Sequence, residues 1–268
     1  YAYCSAIGAV RALLPSPTFL EYGTALLAAG AEPVCFPLRE MDRFALTADF
    51  LENIRRTECK VIFLCNPNNP TGQMIQPELL EAVCAVCGQR GIRLFVDECF
   101  LELSDAGRGA SLAKWLDRYP NLFLLKAFTK SCGMAGLRLG YCLSGDSGLL
   151  AAMSRRMQPW NVSLPAQAAG VAALGERAFL EASRQMIRRE RPLLAEELEK
   201  SGLWVCPSKA NYLLVRSGKP LAGPLLEQGI LIRDCSNYEG LGPGWYRLAV
   251  KSREENQVLL DALHAILV

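Results

Sequence analysis

The sequence predicts an α/β fold. A mostly parallel sheet, covered by helices on both faces in three layers, is followed by a smaller α+β block at the C-terminal end. Three observations predict it. Short apolar runs such as KVIFLC (60–65) and IRLFV (92–96) read as strands buried on both faces. Amphipathic helical patterns separate these runs, and that alternation implies parallel crossover connections. After about residue 145 the order changes to long helices and then several short strands.

The elements follow in order. Residues 1–14 open on a helical pattern without an initiator methionine. Residues 17–30 read as a helix closed by Gly30, and 33–37 as a short strand. Residues 47–57 form an amphipathic helix with Thr47 as N-cap and Phe50, Leu51 and Ile54 on one face. Pro77 suits the first turn of a helix over 77–90, with Gly91 after it. Strand 92–96 ends at Asp97, and further strands are expected at 121–125 and 138–143. Residues 146–175 read as long helix interrupted around 159–165, and 177–201 as a second long helix. Short strands at 203–205, 211–215, 230–233 and 246–250 precede a final helix at 252–267. The expected division is a large domain over 1–145, an interdomain helical segment over 146–175 and a small domain over 176–268. No repeat or low-complexity linker breaks the chain.

Composition excludes several classes. Hydrophobic residues make up 51% and charged ones 21%, as in ordinary globular chains. A net charge of +2 argues against a dedicated nucleic-acid binder. Arg184, Arg188, Arg189 and Arg191 alternate with Glu181, Glu190, Glu196 and Glu197, which reads as a solvated helix face. No apolar run reaches the roughly 18 residues of a membrane span, and no signal-peptide pattern is visible. The eleven cysteines sit mostly inside apolar elements, and their odd number argues against a disulfide framework. The Cys84/Cys87 pair lies within a helical pattern and reads as packing, without a second pair at zinc spacing. His264 is the single histidine and is expected at the surface of the last helix. Ser-His-Asp triads and multi-histidine metal sites therefore lack material. The setting expected is cytoplasmic.

Polar residues at the strand ends carry the chemistry. In open α/β sheets, ligands bind beyond the carboxyl ends of strands. Strand 60–65 runs into Asn66-Pro67-Asn68-Asn69-Pro70-Thr71-Gly72, strand 92–96 into Asp97-Glu98, and strand 121–125 into the segment holding Lys130. Taken singly, these are turn formers, a cap and an exposed lysine. Taken together they match the needs of pyridoxal phosphate. That cofactor needs a lysine to bond its aldehyde and a carboxylate to keep its pyridine nitrogen protonated. It also needs a donor for its phenolate oxygen and a cation for its phosphate. Lys130, Asp97, Asn69 and Arg138 supply the four. Asp97 must stay ionised, and a neighbouring cation is expected to lower its pKa.

Asn69-Pro70-Thr71-Gly72, Asp97, Lys130 and Arg138, spaced by 28, 33 and 8 residues, resemble the fold-type I pyridoxal phosphate enzymes of the aspartate aminotransferase superfamily. The resemblance implies a three-layer PLP-dependent transferase-like fold and a homodimer, while the charge balance and the lack of a long apolar run speak for no nucleic-acid or membrane partner. It also implies that Phe19, in Pro17-Thr18-Phe19, stacks on the cofactor ring and that Tyr22 lies near Asp97. Thr129 joins the cofactor-binding positions. Arg247 grips the substrate α-carboxylate, a planar anion suited to a guanidinium. Two branches share these residues. The histidinol-phosphate aminotransferases have the same Asn-Pro-Asn-Asn-Pro-Thr-Gly run and Gly-Leu-Arg-Leu-Gly turn. GILIRDCSNYEGLGPGWYRLAVKSREEN (229–256), MQPWNVSLPAQAAG (157–170) and KANYLLVR (209–216) are more similar to the threonine-phosphate decarboxylases of cobalamin synthesis. That branch implies decarboxylation of O-phospho-L-threonine, with Asn69, Arg233 and Arg247 on the substrate. Arg233 is expected on the phosphate and Arg247 on the carboxylate, with exchange or sharing of the two roles left open.

Two positions depart from the aminotransferase pattern. Ala127 stands where Ser or Thr usually contacts the cofactor phosphate, a loss of about 1 kcal/mol. Phe100 stands where a tyrosine often bonds the phenolate, so the lysine adduct should protonate more easily. The family's N-terminal arm and glycine-alanine phosphate loop are expected upstream of Tyr1. Two further readings stand beside these. One is an inactive cofactor-binding fragment. The other is a nucleotide site at Gly240-Leu241-Gly242-Pro243-Gly244, although that loop precedes a strand and lacks the helix N-terminus a phosphate prefers.

Overall fold

The computed structural model describes residues 1–267. Helix α1 (Ala2–Ile7) leads into β1 (Arg11–Ser16), α2 (Glu21–Ala28) and β2 (Glu32–Pro37). Next come α3 (Asp49–Arg56), β3 (Val61–Cys65), α4 (Pro77–Gln89) and β4 (Arg93–Asp97). Strand β5 (Leu122–Ala127), the single turn α5 (Phe128–Ser131) and β6 (Gly140–Ser144) complete a six-stranded sheet of order β2-β1-β3-β4-β5-β6. Its first five strands are parallel, and β6 runs antiparallel to β5.

Strand alternation divides the core in two. Leu13, Ile62, Leu64, Leu94, Val96, Leu122 and Leu124 face α3 and α4. Ala12, Leu14, Phe63, Phe95 and Phe123 face α1, α2 and the next helix, α6 (Ser147–Ser154). Both faces are thus apolar, which is why β3 to β5 read as continuous apolar runs. Phe63, Phe95 and Phe123 are register partners, and their rings stack at 4.5 and 5.1 Å between centroids. Offset aromatic pairs of this kind add about 1 kcal/mol each beyond area burial. Cys84 and Cys87 are fully buried in the α4 face.

The chain continues through α7 (Leu164–Gly175) and α8 (Arg177–Lys200) to β7 (Trp204–Val205), β8 (Tyr212–Arg216) and α9 (Ala222–Glu227). Strands β9 (Arg233–Asp234) and β10 (Trp245–Ala249) and helix α10 (Arg253–Leu267) follow. These strands form an antiparallel sheet of order β7-β8-β10-β9, packed against α8 and α10. His264 is exposed on α10. Among the described residues no helix is long and apolar enough to cross a membrane.

Several expectations need correction. The helix expected over 17–30 begins only at Glu21. Thr47 is not a side-chain cap; α3 starts at Asp49 after Ala48 without one. Strand β1 was hidden within a stretch read as helical. Pro15 weakens its strand signal, yet Pro15 lies past the β3 ladder, whose last partner pair is Leu13 with Ile62. The strand expected over 230–233 is a two-residue pairing at Arg233–Asp234. The basic run on α8 is not wholly solvated. Arg191 is buried and donates to Asp105 at 2.7 Å, and Glu190, 2% exposed, accepts from Arg189 (2.7 Å) and Arg253 (3.0 Å).

Candidate active site

The carboxyl ends of β3, β4 and β5 open into a cavity of about 500 Å³. Its far wall comes from β9 and β10 of the second sheet. Asp97 ends β4, Lys130 sits in the turn after β5, and Arg138 stands just before β6. Phe19 and Tyr22 come from the start of α2, Asn69 from the loop after β3, and Thr129 precedes Lys130. Arg233 and Arg247 come from β9 and β10. All nine residues singled out in the sequence line this one cavity.

The loop after β3 is held by its asparagines. Thr18 Oγ1 donates to Asn68 Oδ1 (2.8 Å), and Asn68 Nδ2 donates to the Pro17 carbonyl (2.9 Å) and Thr71 Oγ1 (3.0 Å). The Tyr212 hydroxyl donates to the Asn68 carbonyl at 2.9 Å. Gly72 is required by geometry. Its φ is +74°, and a Cβ there would lie 2.1 Å from Ser208 Oγ. Asn69 Oδ1 accepts from Arg247 Nη1 at 2.5 Å. Its Nδ2 has no protein acceptor among the described residues and is free to donate.

Asp97 is 6% exposed. Its Oδ2 accepts from the Tyr22 hydroxyl (2.7 Å) and its Oδ1 from the Cys99 amide (2.8 Å). Burial pushes its pKa up, and these hydrogen bonds only partly restore it. The expected neighbouring cation is absent among the described residues: no Lys or Arg pairs with Asp97. Asp97 is a buried anion site without a cation of its own. Lys130 shows the converse. Burial, then Arg247 and Arg138, lower its pKa, which favours the neutral, nucleophilic amine. Its Nζ lies 5.5 Å from the centre of the Phe100 ring.

Lys126 also lines the cavity, but its charge is spent. Its Nζ lies 2.7 Å from Glu98 Oε2, a carboxylate that also accepts from Ser111 Oγ (2.6 Å) and the Leu112 amide (2.8 Å). Lys130, Arg138, Arg233 and Arg247 make no ion pair among the described residues, against two lining carboxylates, Glu21 and Asp97. Arg138 adopts a left-handed φ of +54°, the kind of backbone outlier that functional sites retain. Arg233 and Arg247 are direct cross-strand partners. Like charges in such a pair repel, so the wall is built for anions. Sequence reasoning missed Tyr212, Tyr238 and Cys99 in this wall or beneath it. The first two lay in stretches noted only for their resemblance.

The residues fit pyridoxal phosphate. Among the described residues they offer a buried carboxylate lacking a cation, an amine of lowered pKa, and an arginine without a carboxylate partner. Fold and site together define a pyridoxal phosphate enzyme of the aminotransferase-like class. Residues 3–263 match Aminotransferase class I and II, and the chain belongs to this pyridoxal phosphate-dependent family. It is 38% identical over 261 residues to the threonine-phosphate decarboxylase of Salmonella typhimurium, covering 96% of this chain and 71% of that protein. The crystal structure of a histidinol-phosphate aminotransferase from Clostridium acetobutylicum superposes with a TM-score of 0.91 at 28% identity, covering 99% of this chain and 80% of that one. That of an L-threonine-O-3-phosphate decarboxylase from Porphyromonas gingivalis gives 0.84 at 25% identity, covering 98% and 81%.

Proposed function

We propose that this chain decarboxylates O-phospho-L-threonine to (R)-1-amino-2-propanol O-2-phosphate, a step of cobalamin biosynthesis. The observation that carries the reading is the cross-strand pair Arg233 and Arg247, two guanidiniums in the cavity wall without carboxylate partners among the described residues. A substrate with both a phosphate and a carboxylate satisfies the two at once. The resemblance over 229–256 adds to it.

When bound, pyridoxal phosphate supplies an electron sink for the bond broken at the substrate's α-carbon. Asp97 would hold the ring nitrogen protonated and so gain the cation it lacks. Tyr22 fixes the Asp97 carboxylate, and Asn69 would donate to the phenolate oxygen. Arg138, with Thr129 nearby, would hold the cofactor phosphate, and Phe19 would cover the ring. Lys130 would bond the aldehyde carbon and move protons at the α-carbon. Arg247, fixed by Asn69, would orient the carboxylate, and Arg233 would take the substrate phosphate. Which bond at the α-carbon would break depends on how Arg247 and Arg233 would pose the substrate.

A histidinol-phosphate type of aminotransferase is the second reading, favoured by the TM-score of 0.91 to that enzyme. The test is incubation with pyridoxal phosphate and O-phospho-L-threonine, without a keto acid, with products identified by mass. Loss of CO₂ that disappears in Lys130→Ala supports decarboxylation. Turnover only after 2-oxoglutarate is added, or consumption of histidinol phosphate, assigns the aminotransferase. No turnover with any of these leaves a cofactor-binding protein without this activity.

A further inference from the structure

The two arginines of the cavity wall are held in the same unusual way. Arg247 has an amide oxygen, Asn69 Oδ1 at 2.5 Å, and an aromatic face, the Tyr212 ring at 5.0 Å. Arg233 has Asn237 Oδ1 at 3.2 Å and the Tyr238 ring at 5.6 Å. Neither pairs with a carboxylate among the described residues. Amide oxygens and ring faces hold a guanidinium without neutralising it, and they leave most of its N–H fork for a ligand.

The two holders differ in what they must overcome. Arg247 lies in mid-strand on β10, whereas Arg233 is exposed on the edge strand β9. Arg233 is the cross-strand partner of Arg247, and like charges in such a pair repel, so the exposed Arg233 needs a contact that sets its direction. Tyr238 is rigid by contrast. It is 4% exposed and packs with Phe44, Cys206, Leu214, Cys235 and Trp245. Its amide donates to the Cys235 carbonyl (3.1 Å), and its own carbonyl accepts from the Leu241 amide (3.0 Å). A buried ring against an exposed arginine fixes the arginine's direction and reduces the rotamer freedom that a ligand would otherwise have to remove.

We propose that Tyr238 is a positioning residue that gives this pocket its preference for phosphorylated over unphosphorylated amino acids, by holding Arg233 in place. The proposal rests on reading Arg233 as the phosphate-binding arginine. It is independent of whether decarboxylation or amino transfer follows.

The experiment measures binding of O-phospho-L-threonine and of L-threonine to the pyridoxal phosphate-loaded protein by calorimetry, with Lys130→Ala as the common background that counts as wild type in the comparison, so that turnover adds no heat. It compares Tyr238→Leu, Tyr238→Phe, Arg233→Ala and the Tyr238→Leu/Arg233→Ala double variant. Tyr238→Leu should weaken the phosphorylated ligand about fivefold, the scale of one partly desolvated cation–π contact, and the unphosphorylated one less than twofold. Tyr238→Phe keeps the ring face and should stay within twofold of wild type for both. On the Arg233→Ala background, Tyr238→Leu should add nothing. Equal losses for both ligands, or the same loss with Arg233 absent, would show a merely structural tyrosine and overturn the proposal. A Phe variant as weak as the Leu variant overturns it too. Wild type that binds both ligands equally overturns the phosphate reading of Arg233 itself, a distinct result. If Tyr238→Leu does not fold, Tyr238→Met, which refills more of the ring's volume without a π face, takes its place in the same comparison.

Discussion

Replacing Asp97 by Asn should stabilise the cofactor-free protein and cripple its hold on the cofactor. The Asp97 carboxylate is 6% exposed, accepts two hydrogen bonds and has no Lys or Arg partner among the described residues. An Asn keeps the shape. Its oxygen still accepts from the Cys99 amide, and its amide nitrogen can donate to the Tyr22 oxygen once that hydroxyl turns. What is lost is a desolvated negative charge, worth about 2 kcal/mol on the scale of uncompensated buried groups. For a chain of this size that is roughly 6 °C in melting temperature. The pH dependence has a definite sign. Because the folded pKa is raised, the native state binds more protons than the unfolded one between the ordinary carboxylate range and the raised value. Wild-type stability from this group therefore falls as pH rises through that window, and the Asn variant's advantage appears there. Below it both side chains are neutral and the difference vanishes. With pyridoxal phosphate present the order reverses, because only Asp pairs with a protonated ring nitrogen. Cofactor affinity should fall at least about 30-fold, about 2 kcal/mol. The assay is thermal unfolding from pH 4 to 8, with and without cofactor. An Asn variant that is less stable without cofactor at pH 7 refutes the reasoning.

Two stability predictions accompany the ligand experiments above. Glu98→Gln strands the buried Lys126 ammonium and should cost about 3–5 kcal/mol in urea unfolding; adding Lys126→Met should recover most of it, and failure to recover would deny the pairing its role. Gly72→Ala should cost about 2 kcal/mol or more. Its Cβ would meet Ser208 Cβ at 2.7 Å as well as Oγ at 2.1 Å, so turning the serine side chain does not relieve it. Unchanged unfolding of this variant would mean that the loop after β3 shifts freely against the turn at Ser208.

Much of this molecule follows from local pattern. Strands β3 to β5 were legible because both their faces are buried, and their apolar runs need no partner information. The helices α4, α8 and α10 were legible from period and punctuation, with Pro77 at one start. Asn69, Asp97, Lys130 and Arg138 were legible because each ends or follows a strand, where a parallel sheet presents its ligands. Other features depended on elements distant in sequence. Strand β1 became a strand only through its neighbours β2 and β3, since RALLPS has no helix or strand period strong enough to choose. Arg191 looked solvated until Asp105, 86 residues away, came to meet it. The upward pKa shift of Asp97 was not legible because burial, and the lack of a Lys or Arg partner among the described residues, are properties of a packed site, whereas the sequence shows only that the carboxylate is present. The cross-strand pairing of Arg233 with Arg247, and the aromatic faces that hold them, likewise exist only once β9 and β10 are in register. Residue types thus determined which chemistry was on hand, and long-range packing decided which charges were left uncompensated and therefore available to a ligand.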